Sequence, residues 1–297
     1  MAEVVPVADA VELAAVVAGL EANDRAVLVL EPGFYPTTID FGDSTEVAVI
    51  GTGINPPILT GDGARVVEVF GDAIVYLSNV EVSNSNVAGN GLECSGTSAW
   101  IDDSLLDANR IGIDVTGGCF VHARRATITA NTDRGIECLG GDLSLRNCAV
   151  GLNGNGFTSS VGGLMLTNAT VDIVYSTIVA NQSSVSAEAS VSCAGGELGE
   201  IRNSIIASAG GGIDGCAGIT LANNAVDDGG IGGSNVDVGA AMGNWFMGLA
   251  TGDLHLSATG AGVFADIAEW QATDPTMDVD GDPIPSGAPS FPGYDQP

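Results

Sequence analysis

Lysine is absent from this 297-residue chain, whose eight arginines face 37 acidic residues for a net charge of −29. A surface that negative repels phosphates, which excludes nucleic acid as a partner. It also repels anionic lipid and anionic glycan unless a divalent cation stands between them. Aromatic residues are only 5% of the chain. That scarcity, with the missing lysine, weighs against an enzyme that stacks sugars on rings and holds uronates with cations. No apolar run reaches the roughly 18 residues needed to cross a bilayer, so no membrane insertion is expected. There is no C-x-x-C pair of the zinc type. No Gly-x-Ser-x-Gly elbow is present, and the only histidines, His122 and His255, lie far apart. A serine or cysteine nucleophile is therefore unsupported.

What the chain does contain is 45% hydrophobic residues, mostly Val, Ile, Leu and Ala, punctuated by 43 glycines. That mixture suits many short strands and tight turns. Six cysteines, an even number, permit disulfides and favour an oxidising compartment. Met1-Ala2-Glu3 lacks the basic start and apolar core of a signal peptide. The expected location is nonetheless extracellular or cell-surface, with any leader already removed.

A repeat organises the middle of the chain. Gly91-Leu92-Glu93-Cys94, Gly112-Ile113-Asp114-Val115, Gly135-Ile136-Glu137-Cys138 and Gly156-Phe157-Thr158-Ser159 align, and the acid position steps by 21, 23 and 21 residues. Asn109, Asn131 and Asn153 form a second column, each 22 residues apart. Such a period marks a solenoid whose units bury apolar faces only against their neighbours. Each coil has room for three short strands, stacked in parallel about 4.8 Å from the next coil. Recurrent asparagines suit left-handed turn positions and amide ladders along the stack.

The expected organisation is residues 1–25 as an N-terminal cap helix, 26–260 as the solenoid, and 261–297 as an irregular Pro/Gly/Asp-rich tail packing back on it. The apolar stripe over residues 7–21 reads as the cap helix. Extra residues on either side of Asn181 predict bulged loops at about 159–170 and 182–190, with Phe157 and Tyr175 the aromatic ligand-binding candidates near the groove they would wall. A monomer is expected, with end-to-end association as the other state.

On these features the chain resembles the right-handed parallel β-helix superfamily, the pectate-lyase-like fold. The residues that carry the resemblance are the cap helix before Val27-Leu28-Val29-Leu30-Glu31-Pro32-Gly33-Phe34-Tyr35, the coil period, and the Asn and Gly-x-(Glu/Asp) columns. The ending Asp278-Val279-Asp280-Gly281-Asp282 looks like that of secreted bacterial β-helix repeat proteins. The fold class expected is thus all-β, a right-handed parallel β-helix.

The chemistry is expected on one face. Alternation turns Leu92, Ile113 and Ile136 inward, so Glu93, Asp114 and Glu137 point outward on adjacent coils. Like charges in such a stack disfavour one another, and a hard cation such as Ca²⁺ would relieve them. The resemblance implies the same, since pectate-lyase-like enzymes hold Ca²⁺ with carboxylates on adjacent parallel strands and use an Arg or Lys as the base. Arg110 and Arg134 are the candidates for that role if the protein is a lyase, with Asp133 beside them as a ligand-binding candidate. The plainer reading is that these arginines simply neutralise the ladder. Asn131-Thr132-Asp133 matches one short polygalacturonase motif, but the remaining motifs of that family are missing. Asp278, Asp280 and Asp282 alternate like a calcium loop without its distal Glu and form a second candidate cation site. Cys193 and Cys216 are 23 residues apart in one column, which suits a disulfide. Cys94 and Cys138 are too far apart to bridge, and Cys119 and Cys148 have no evident partner. The leading expectation is a secreted or cell-surface protein that presents an acidic, Ca²⁺-binding face to a polysaccharide or cell-surface matrix without catalysis. A Ca²⁺-dependent polysaccharide lyase is the alternative, and a purely structural or self-assembling solenoid the third.

Overall fold

The computed structural model describes residues 2–61, 63–84, 88–155, 161–182, 190–208, 211–227, 232–239 and 242–297. All but two of the described strands fall into three parallel sheets that the chain visits in rotation. One coil illustrates the rule: Ser98–Asp102 lies in the first sheet, Leu105–Asp107 in the second, Ile111–Thr116 in the third, and Phe120–Arg124 returns to the first. Each strand pairs with its counterparts one coil before and after. The chain is a parallel β-helix.

The inward residues fill the bore. In that coil Ala99, Ile101, Leu106, Ile113 and Val115 are buried, while Trp100, Asp102 and Asp114 face outward. Strand alternation thus sends every second residue to solvent on each sheet. Two of the three corners carry a recurrent left-handed position. Between the first and second sheets a left-handed residue recurs at Asn79, Asp103, Arg125, Asn147, Tyr175, Asn203 and Asn223, with φ between 48° and 55°. Between the second and third it is Ala108, Ala130, Leu152 and Ala180.

The asparagine column follows that second turn by one residue, so it supplies a ladder, not the left-handed position. Asn109, Asn131, Asn153 and Asn181 are buried, and each amide donates to the next, Asn109 to Asn131 at 3.1 Å, Asn131 to Asn153 at 2.9 Å and Asn153 to Asn181 at 3.0 Å. The carboxamide oxygens of Asn131, Asn153 and Asn181 also accept the preceding asparagine's backbone N–H. The repeated glycines make room for it. A Cβ on Gly112 would lie 2.7 Å from the carbonyl oxygen of Gly135 and 2.9 Å from the Asn131 amide nitrogen.

The N-terminal end differs from the sequence expectation. The helix spans only Ala10–Ala18, capped by Asp9, whose side chain accepts from the amides of Val11 and Glu12. Glu3–Val7 forms a strand before it, paired with Arg25–Leu30 at the edge of the first sheet. Pro6 hid this strand, because proline suits an edge where no ladder N–H is needed. Leu13 is buried under the helix.

At the other end, Phe246–Gly248 and Asp253–Leu256 make an antiparallel hairpin followed by a helix over Ala258–Phe264. They lie against the outer side of the second sheet, where Ala149, Val179 and Ile205 pack with Trp245, Phe246, Leu254 and Phe264. The tail returns along the solenoid, stitched to its corners: Asn203 donates to the carbonyl of Glu269 at 2.9 Å and Arg146 to that of Thr273 at 2.7 Å.

Candidate functional site

The third sheet carries a continuous carboxylate column. Asp40, Glu68, Glu93, Asp114 and Glu137 are successive register partners, and Met165 ends the run. The sequence showed the last three acids of this column. Asp40 and Glu68 escaped notice because the coils before residue 74 are irregular and their period is not readable.

The acids are relieved unequally. Arg65 pairs with Glu68 and lies 3.7 Å from Asp40. Arg134 pairs with Glu137 at 2.8 Å. Asp133 sits between Arg110 at 3.6 Å and Arg134 at 3.9 Å. Glu93 has no such ion pair among the described residues. Asp114 accepts only the Asn90 amide, at 2.8 Å on one oxygen, and Asn90 in turn accepts from Arg110 at 2.9 Å. The other oxygen of Asp114 is buried with no hydrogen-bond partner among the described residues. Burial first, then the charges of Glu137 and Glu93, push the Asp114 carboxyl up to about 6, against the lowering effects of Arg110 and Asn90.

Asp114 and Glu93 are thus the two residues of the column that could contribute oxygens to a hard cation, although Glu93, Asp114 and Glu137 do not bring three ligand atoms within 4.8 Å of one another. Arg110 and Arg134 are placed differently from two free bases. Arg134 is 18% exposed and engaged by Glu137, whereas Arg110 is 43% exposed and shared between Asn90 and Asp133.

The other predicted residues do not converge on this face. Tyr175, expected beside a groove, is fully buried under the tail with its hydroxyl 3.3 Å from that of Ser290. It took the left-handed corner position with φ 48°, which turns the ring under the returning chain. Phe157 lies outside the described residues. The tail acids separate as well. Asp278 is buried and accepts the amides of Asp280, Asp282 and Gln296, which makes it the organiser of a turn. Asp282 is exposed. Asp280 approaches His255 Nε2 at 3.3 Å, and with Asp295 these three offer ligand atoms within 4.8 Å of one another.

Cys193 and Cys216 are joined, with Cα atoms 4.9 Å apart. Cys119 is bonded too, to Cys94, at a Cα separation of 5.9 Å. Columns of equal position could not reveal that pair, because it links a third-sheet strand end to the corner after the next coil. Cys138 and Cys148 are free and buried.

No protein-family model matches the chain, and no curated protein matches it. Two solved structures are similar to it. One is the pectate lyase Pel9A, at 17% identity over 95% of this chain and 90% of that one, with a TM-score of 0.43. The other is the A-module of the mannuronan C-5 epimerase AlgE6 of Azotobacter vinelandii, at 14% identity over 71% and 86%, with a TM-score of 0.28. At such scores the chemistry must be read from this chain's own residues.

Proposed function

We propose that the third-sheet face binds a divalent cation, Ca²⁺ in an extracellular setting, and through it an anionic polysaccharide or matrix glycan, without catalysis. The observation that supports this most directly is Asp114: a carboxylate flanked in register by Glu93 and Glu137, with one buried oxygen unpartnered. Such a group takes up a proton or a cation. Asp114 and Glu93 would hold the cation, and the positive charge it supplies would let an acidic glycan approach a face that otherwise repels it. The two disulfides suit an oxidising compartment. A monomer is the proposed state. Asp280 and Asp282 of the tail are secondary candidates for cation contact, while the saturated carboxylate of Asp278 has a structural task.

The test is calorimetric titration of Ca²⁺ into the protein and into Asp114→Asn, followed by sedimentation with polygalacturonate and with alginate, each in Ca²⁺ and in chelator. Calcium-dependent co-sedimentation that Asp114→Asn abolishes supports the reading. Heat-silent titration, or sedimentation indifferent to chelator, refutes it.

A lyase is the second reading, favoured by Arg110, a half-exposed guanidinium on the same face as Asp114. In that case Arg110 or Arg134 removes the proton beside the uronate carboxylate. Ultraviolet absorbance of unsaturated product in the same incubations decides it. Absorbance that grows with Ca²⁺ and disappears in Arg110→Gln would convert the binding face into an active site.

A further inference from the structure

Among the described residues, Phe34 and Phe70 are exposed singly on the second and third sheets, but two further exposed rings of this aromatic-poor chain stand next to one another on the first. In the first sheet Tyr76, Trp100, His122 and Ser144 are register partners and point outward. Two residues along each strand, Ser78, Asp102, Arg124 and Arg146 form a parallel column. Between the columns lies a cavity of about 440 Å³ running across the coils, floored by Leu77, Ile101 and Ala123. One wall is aromatic. Tyr76 and Trp100 are near-parallel with centroids 5.9 Å apart, and Trp100 stacks on His122 at 4.0 Å. Phe120 supports His122 edge-on at 3.9 Å. Tyr76 and Trp100 remain 37% and 40% exposed. A single exposed ring needs no explanation, but a row of them in register does.

The opposite wall is polar and pre-set. Arg124 and Arg125 both pair with Asp102, Arg125 also pairs with Asp103, and Arg146 pairs with Asp172. Asp102, Arg124 and Arg146 line the cavity, and with Arg125, Asp103 and Asp172 paired to them outside it three arginines meet three aspartates, in a molecule whose net charge is −29. Burial, then the charge of Arg146, lowers His122 against the opposing pull of Asp172, so the imidazole is neutral at pH 7. The groove is a charge-balanced island on an acidic protein. It neither repels an uncharged ligand nor recruits a polyanion, and its aligned ion pairs still offer donors and acceptors to hydroxyl groups.

We propose that this groove is a second binding site, for an uncharged oligosaccharide, and that it works without any metal. The sugar would pack on the Tyr76 ring and on the exposed edge of Trp100, whose faces are turned to Tyr76 and His122, and its hydroxyls would meet Asp102, Arg124, Ser144 and Arg146. The groove crosses four strands about 4.8 Å apart, so it has the length for an extended chain of several units. An extended peptide is a poorer match, because these strands already pair on both sides and leave no backbone edge to add to.

The test is calorimetry, together with tryptophan emission, on titration of cellohexaose, xylohexaose and mannohexaose in chelator. At least one should bind and shift the emission to shorter wavelength. Trp100→Ala should weaken that binding by about tenfold or more, and Trp100→Phe should largely preserve it. Asp114→Asn should bind as the wild type does, which separates this site from the third-sheet face. Failure of all three sugars overturns the proposal, as does binding that Trp100→Ala and Tyr76→Ala both leave unchanged. A wild-type dimer in light scattering that Trp100→Ala converts to monomer overturns it too, since the rings then serve self-association.

Discussion

Asp114 and Glu137 face the same way on adjacent strands, yet only Glu137 has an arginine of its own. Arg134 pairs with Glu137 at 2.8 Å, while Asp114 has a single amide hydrogen bond from Asn90. One column of like charges therefore contains a relieved member and an unrelieved one. The unrelieved one holds its proton more tightly than a free carboxyl does.

Removing the Asp114 charge should stabilise the fold at neutral pH. Its carboxyl is raised from 3.8 to about 6 in the folded state, so the native protein holds this proton more tightly than the unfolded chain does. The stabilisation is complete below the unfolded value and lost as pH rises through about 6. Asp114→Asn should accordingly exceed wild type by about 1 to 2 kcal/mol at pH 7, after allowance for solvent screening, and converge with it near pH 4. Urea melts at both pH values measure this. Added Ca²⁺ should reverse the order at pH 7, since only wild type would gain from it.

The asparagine ladder should be the most sensitive polar element. Asn131 is fully buried and donates to Asn153 Oδ1 and to the carbonyl of Leu106, while accepting both the amide and the side chain of Asn109. Asn131→Ala strands several of these groups in the core and should cost about 2 to 4 kcal/mol. Asn131→Asp keeps the acceptor and loses the donor, and puts a carboxylate into a buried amide stack, so it should be no milder. Chemical denaturation of both variants checks the ranking.

The fold was legible because its units repeat, and what was missed lies where repetition fails or where columns are compared only with themselves. Asp40 and Glu68 continue the acid column through irregular coils. Cys94 and Cys119 bond across a corner, not along a column. The Tyr76–Trp100–His122 row joins three different residue types, so no sequence column announces it, and a low aromatic total disguised how densely the rings cluster. Tyr175 misled for the opposite reason: an aromatic near an extended loop looked like a groove wall, but a chain from more than a hundred positions away covers it. Tail contacts of that range leave no local pattern.

His255 should fasten the tail in a pH-dependent way. Its Nδ1 lies 2.6 Å from Asp253 and its Nε2 3.3 Å from Asp280, and Asp295 is close by. Burial alone would lower the imidazole, but the Asp253 hydrogen bond and the charges of Asp280, Asp295 and Asp253 outweigh it and raise the group. The stabilisation is therefore present below the ordinary histidine value and fades as pH climbs through the raised one. Wild type should out-melt His255→Gln at pH 6, and the gap should narrow as the pH is raised stepwise above the ordinary histidine value. A gap that stays constant over that range would assign His255 a packing task only.

The tail's other anchor is a buried ion pair. Arg202 and Asp274 pair where Arg202 is 3% exposed and Asp274 not at all, and Asp274 also accepts the amide of Gln271 at 2.9 Å and the Asn203 side chain at 3.2 Å. Breaking one side leaves a buried charge uncompensated, which costs about 3 to 5 kcal/mol. That exceeds what the remaining contacts of a strap without regular structure should withstand, so Arg202→Met should release the tail locally before it unfolds the solenoid. Limited proteolysis should then cut within residues 266–297 at an early stage, leaving a β-helix body whose circular dichroism is unchanged. Arg202→Met combined with Asp274→Leu removes both buried charges and should recover much of the protection. If the double variant is cut as fast as the single one, the anchor depends on the hydrogen bonds of Asp274 and not on charge.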